Sequence, residues 1–225
     1  MNARYLTLTA VVLAIGLAGC LPKPLPRLDV EHIEGKLTSE LPGGWRVRGP
    51  AIGVQPERLG VFTDEKIARS GNSVSLLSVD AVNADWGSVM QDIDATSYRG
   101  KRIRFSGYIR ANTVSGWAGL WMSVETETRE DIAYDNMEDR SIRGTSDWQQ
   151  YAVVLDIDSD AVIISIGIAL HGQGQVWLDD CAFEVVDESV SPTGTFTSSR
   201  PRTRAIPDRL YDAPANLTMD EEFFE

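Results

Sequence analysis

Two tryptophans, Trp117 and Trp121, stand four residues apart in the run Gly116-Trp117-Ala118-Gly119-Leu120-Trp121-Met122-Ser123-Val124-Glu125. With the two-residue period of a strand, Ala118, Leu120, Met122 and Val124 share one face, and Trp117, Gly119, Trp121, Ser123 and Glu125 share the other. The first face suits a core. The second offers two large rings to whatever lies outside the sheet. An indole face accepts the apolar C–H side of a pyranose, and polar groups around it fix the sugar's orientation. Arg104, Tyr108, Arg110 and His171 fall on the outward side of other strand-like runs, so Trp117, Trp121, Tyr108, Arg104, Arg110, Glu125 and His171 form the candidate ligand-binding set. The competing reading covers these rings with a loop or with the C-terminal segment.

Catalytic chemistry has less to work with. Glu125-Thr126-Glu127-Thr128-Arg129-Glu130 superficially echoes the acidic strand of jelly-roll glucanases, where two close carboxylates perform retaining hydrolysis. Here threonines occupy the apolar positions and the middle acid is Glu, which fits a solvated strand end better. The Gly-x-Ser-x-Gly turn of serine hydrolases is absent, and His32 and His171 are the only histidines, without zinc-ligand spacing. The chain is expected not to be an enzyme.

The N-terminus reads as an address. Arg4 precedes an apolar run from Tyr5 to Ala18, then Leu17-Ala18-Gly19-Cys20. About 14 apolar residues fall short of the roughly 20 that span a bilayer as a helix. The box resembles a bacterial lipoprotein signal. That resemblance implies cleavage of residues 1–19, lipidation of Cys20, stable anchoring by several acyl chains and, with Leu21 rather than Asp next, sorting to the outer membrane of the cell envelope. Without Arg4, 20 basic side chains face 33 acidic ones, a net charge of −13. That balance disfavours nucleic acid as a partner, since a polyanion needs a basic stripe. Cys181 is the one other cysteine, and its neighbours along the strand suggest a buried, inert thiol.

Residues 20–29 alternate proline through Leu21-Pro22-Lys23-Pro24-Leu25-Pro26, an extended spacer. From 30 to 187 short β-branched or aromatic runs alternate with Gly, Asn, Asp and Ser clusters, without long helical periodicity. Candidate strands are Trp45–Arg48, Val74–Val79, Val89–Ile93, Arg102–Arg110, Trp117–Glu125, Gln150–Asp156, Val162–Leu170 and Gln175–Val186. The pattern predicts an all-β, antiparallel jelly-roll sandwich. In the last strand Trp177, Asp179, Cys181, Phe183 and Val185 alternate as one set, which would place Asp179 with the core. Residues 188–225 turn to Ser, Thr, Pro and Arg before an apolar and acidic end, expected either to dock on the sandwich or to remain disordered.

Four segments, Tyr98 to Tyr108, Gly116 to Met122, Gly144 to Tyr151 and Val176 to Asp180, together resemble a largely uncharacterised bacterial β-sandwich family found in envelope proteins and appended to regulators. Its pattern is similar to jelly-roll carbohydrate-binding modules of galactose-binding-like architecture, over about residues 30–187. The resemblance implies a structural calcium between the first and last strands, with Glu34 and Asp179 as ligands, although an Asp179 satisfied by backbone donors at a turn competes with it. The aromatic face, the lipoprotein-like N-terminus and the thin catalytic motifs together lead to the expectation of a non-catalytic, membrane-anchored binder of glycan or another polar envelope ligand. The rival is a structural lipoprotein that grips an envelope protein, and a degenerate glucanase stands third.

Overall fold

The computed structural model describes residues 37–38, 41–49, 59–78, 86–127, 130–194, 198–201 and 210–220. Eleven strands follow in chain order: β1 (Leu37–Thr38), β2 (Arg46–Arg48), β3 (Leu59–Asp64), β4 (Ser73–Ser78), β5 (Trp86–Asp94), β6 (Arg102–Glu125), β7 (Glu130–Asp135), β8 (Ile142–Asp156), β9 (Ile163–His171), β10 (Gly174–Val186) and β11 (Ser198–Pro201). Every named strand pair is antiparallel. Among the described residues there is no α-helix, and therefore none long and apolar enough to cross a membrane. The all-β jelly-roll expectation holds.

One strand belongs to both layers. Residues 102–112 of β6 pair with β10, which continues through β4 and β3 to β1, whereas residues 117–125 pair with β9, which continues through β5 to β2. The sequence divides this 24-residue strand into two because its alternation changes phase. Ile103, Phe105, Ile109 and Ala111 face the core in the first half, and Val114, Ala118, Leu120, Met122 and Val124 in the second. Thr113, with φ of 52°, sits where odd gives way to even, among three register shifts against β8. Such an irregularity bends a strand and re-aims its side chains. Apolar residues of β4, β8 and β10 in one layer and of β5 and β9 in the other close on β6 as one fully buried core.

A second irregularity corrects the reading of the last strand. Val176 and Leu178 enter the core; then the register shifts between Asp179 and Ala182, Asp180 takes φ of 47°, and Cys181 and Phe183 join the core side. Asp179 therefore lies across the sheet from Val176 and Leu178, on the side of Trp177. Cys181 is a free buried thiol, and burial, with Asp179 and Asp180 nearby, pushes it well above the usual thiol range.

The C-terminal segment docks over residues 210–220. The Gln91 side chain clasps Ala215 from both sides, donating to its carbonyl at 2.6 Å and accepting its N–H at 3.0 Å. Trp45 Nε1 donates to the Asn216 carbonyl at 3.0 Å, the Cys181 N–H to the Leu217 carbonyl at 2.9 Å, and Met219 is buried in the core. Earlier in that segment Thr193 pairs with Val154, and β11 pairs with β7.

Candidate functional site

The outward face of the layer β2-β5-β9-β6-β7 forms a grid whose registers fix which side chains meet. Trp86, His171 and Trp117 share one row, Ser88, Ala169 and Gly119 the next but one along each strand, and Met90, Gly167 and Trp121 the next. Adjacent strands lie about 4.8 Å apart, a spacing that suits rings standing side by side. His171 stacks on Trp117 at 4.1 Å between centroids and 16° between planes, and faces Trp86 at 5.9 Å and 15°. The three rings form a ladder rather than a flat platform. The inner faces of both indoles are occupied by the imidazole, which leaves edges and outer faces to a ligand. Arg48 stands opposite Ser88, one row along, and brings its Cζ to 5.9 Å from the Trp86 ring centroid.

Trp121 is not bare. Its indole lies across Gly167 of β9, where an added Cβ would come within 3.0 Å of Nε1, and that Nε1 donates to Ser88 Oγ on β5 at 2.8 Å. Ser88 in turn donates to the Ile168 carbonyl at 2.8 Å. With 6% of its surface exposed, Trp121 contributes floor, beside Met90, Ala169 and Tyr134. The space between ladder and floor is a cleft of about 430 Å³, with Arg48 at one end and Asn136 and Glu138 at the other. Burial lowers the pKa of His171 below the usual histidine range, and the Glu138 carboxylate works against that shift.

The expected binding set does not come together as one site. Trp117, Trp121 and His171 meet in the cleft. Tyr108, Arg104 and Arg110 point out from the first half of β6, in the other layer, and each is engaged there. The Arg69 guanidinium sits 3.4 Å from the Tyr108 ring centroid, Arg110 Cζ lies 5.0 Å from the Trp177 centroid, and Arg104 pairs with Glu184 at 2.8 Å. The phase change at Thr113 turns the two outward sets in different directions. Glu125 shares the tryptophan side but is fully buried, so it is neither a rim group nor half of a solvent-facing carboxylate pair.

Asp179 is also fully buried, and its oxygens face donors. Oδ2 accepts the N–H groups of Arg69 at 2.6 Å and Ser70 at 3.1 Å, and Oδ1 accepts that of Asp180 at 2.6 Å. Burial nevertheless pushes its pKa up to about 6. Three backbone N–H groups thus satisfy the carboxylate, as the reading of Asp179 that competes with a calcium ligand expects. Among the described residues no three His, Cys, Asp or Glu side chains gather as metal ligands. Glu34 and Cys20 lie outside the described residues.

Trp86 opens β5, and Arg48, Tyr134, Asn136 and Glu138 had no sequence signal marking them. Tyr134 and its neighbours sit on β7, whose Glu130-Asp131-Ile132-Ala133-Tyr134-Asp135 is too polar to announce a strand. Trp148 and Tyr151 are partly exposed on β8, and Tyr151 packs against the core's edge.

No protein-family model matches the chain. An uncharacterized HTH-type transcriptional regulator of Bacillus subtilis (strain 168), YbfP, is 35% identical over 181 residues, 80% of this chain and 57% of that one. The chain thus spans little more than half the length of this curated relative. Among solved structures, the enzymatically active domain of bacteriophage CBA120 tailspike protein 4 aligns with a TM-score of 0.50 and 13% identity, over 64% of this chain and 19% of that one. The CBM22-1 xylan-binding domain of Paenibacillus barcinonensis Xyn10C aligns with a TM-score of 0.45 and 14% identity, over 68% of this chain and 96% of that one. At such identities a likeness speaks to fold and not to activity.

Proposed function

We propose that the β-sandwich is a non-catalytic glycan-binding module, held at the bacterial cell envelope by lipid on Cys20. The carrying observation is the cleft, where Trp86, His171 and Trp117 stand over a floor of Trp121, Tyr134 and Ala169 and Arg48, Asn136 and Glu138 supply the rim. Aromatic walls with a few convergent polar groups are what a polyhydroxylated ring with apolar C–H patches requires. Its rim is of mixed charge, which fits a neutral ligand better than a polyanion. The burial of Glu125 supports a binding role, since the carboxylate pair suggested by Glu125 and Glu127 would have one member withdrawn from solvent. Reuse supports it as well: a chain with a lipoprotein-type N-terminus and a relative named as a transcriptional regulator share most of this domain.

Affinity electrophoresis through gels containing xylan, β-glucan, galactan or mannan tests the reading. At least one glycan is expected to retard the protein, and Trp117→Ala to abolish that retardation. If no glycan retards the wild type, the envelope-protein partner replaces the glycan. Anchoring is tested separately by labelling with a fatty acid analogue: the label is expected in the wild type and lost in Cys20→Ser, and an unlabelled wild type removes the anchor.

A further inference from the structure

The cleft differs at its two ends. On β9 its floor is Ala169, and the paired floor position on β6 is Gly119. The turn that follows β7 crosses over that glycine. A Cβ on Gly119 would stand 3.0 Å from Met137 Cβ and 3.2 Å from the Asn136 carbonyl oxygen, so a side chain there would lift the turn by a few tenths of an ångström. Met137, with φ of 58° and 1% of its surface exposed, is seated on the strand, and its neighbours Asn136 and Glu138 line the cleft.

This end wall is braced. Asp135 Oδ1 accepts the Met137 N–H at 2.9 Å, while Oδ2 accepts Arg140 Nη2 at 2.6 Å and the Thr193 hydroxyl. Asn136 Oδ1 accepts the Glu138 N–H at 3.1 Å, and the Arg140 N–H returns to the Met137 carbonyl at 3.0 Å. With Asp135 itself 6% exposed, the turn is pinned from beneath through a charged, hydrogen-bonded group rather than left to swing. At the opposite end, among the described residues, the cleft meets Arg48 of the three-residue edge strand β2, whose side chain is long and partly exposed.

We infer that the cleft is blind at its β7 end and receives the terminus of a saccharide chain, or a short oligosaccharide, entering from the β2 side, rather than gripping the interior of a polymer. This rests on the glycan-binding reading. A polymer held by its interior must leave the site in both directions, and the braced turn stands in one of them. A terminal sugar presents a hydroxyl that interior residues have committed to linkage, and the Asn136 amide and Glu138 carboxylate, which meet each other at 3.5 Å, keep a second N–H and further lone pairs to donate to and accept from it. The volume of about 430 Å³ sits toward the low end of the roughly 300–1,000 Å³ range of small-molecule sites.

The test uses the full chain and whichever of the four glycans retards it, hydrolysed to size-fractionated preparations of increasing mean length. Binding capacity per gram is measured for each fraction by sedimentation of the complex. For end recognition, doubling the mean length halves the capacity per gram, and the free trisaccharide competes as well as the polymer at equal molar concentration of chains. Constant capacity per gram overturns the blind cleft while leaving glycan binding in place. Absence of retention on every glycan overturns the binding reading, and the blind cleft with it.

Discussion

Trp121 Nε1 donates to Ser88 Oγ over 2.8 Å, tying an indole of β6 to a hydroxyl of β5 with β9 between them. The bond is possible because Gly167 leaves the intervening strand bare at the crossing point. Ser88→Ala would leave a buried indole N–H without its acceptor and the Ile168 carbonyl without one of its donors. An unsatisfied buried group costs about 1–3 kcal/mol. Urea unfolding of the variant is expected to show a loss in that range with an unchanged slope; no loss would mean that water replaces Ser88.

The sequence identified the seams of this fold better than its surfaces. Alternation within Arg102–Arg110 and within Trp117–Glu125 assigned each half of β6 the correct core face, because apolar burial imposes a period of two wherever a strand is regular. Thr113 breaks that period and carries no residue-type signal for doing so, since a left-handed threonine is held by its surroundings. The same blind spot moved Asp179 to the wrong side of β10, where Asp180 is left-handed. For the site, residue type named Trp117, Trp121 and His171, but only cross-strand register reveals that the imidazole fills the space between two indoles and that Trp121 lies down.

Thr113 itself is a testable strain. A β-branched residue at φ of 52° crowds its own backbone, at a cost of about 1–2 kcal/mol. Thr113→Gly is expected to relieve part of this, net of glycine's larger unfolded-state entropy, and to leave thermal stability unchanged or raised. The backbone N–H of residue 113 keeps its 3.0 Å bond to Thr145 Oγ1 in this variant, so a clear drop in melting temperature would show that the threonine side chain makes a compensating contact.

His171 makes the cleft sensitive to acid. Burial holds its pKa below the unfolded value of about 6.5, with Glu138 opposing, so the folded state favours neutral imidazole. Its contribution to stability is therefore complete above the unfolded pKa and lost as pH falls through the lower folded value. Trp86 and Trp117 flank the ring, and Arg48 lies beyond Trp86. Between pH 7 and pH 5 the melting temperature of the wild type is expected to fall further than that of His171→Gln. Parallel curves would contradict the assignment.

Asp179 behaves in the opposite sense. Its folded pKa of about 6 exceeds the ordinary aspartate value of 3.8, because burial outweighs the three N–H donors. The protonated form is favoured on folding, so its contribution is complete below the unfolded pKa and declines as pH rises toward 6, by up to about 3 kcal/mol. The stability difference between wild type and Asp179→Asn should shift against the wild type as pH rises from 4 to 6. A carboxyl titration by NMR with a midpoint near 4 would refute this.

The site assignment is tested most directly by following the indole N–H resonances during titration with a retained oligosaccharide. Trp86 and Trp117 line the cleft, whereas Trp177 is buried in the other layer with Nε1 bonded to Asp64 Oδ2 at 2.8 Å. The Trp86 and Trp117 signals are expected to move on binding and the Trp177 signal to stay still. Movement of Trp177 with Trp86 and Trp117 unmoved would place the ligand on the Tyr108 and Arg110 side and contradict it.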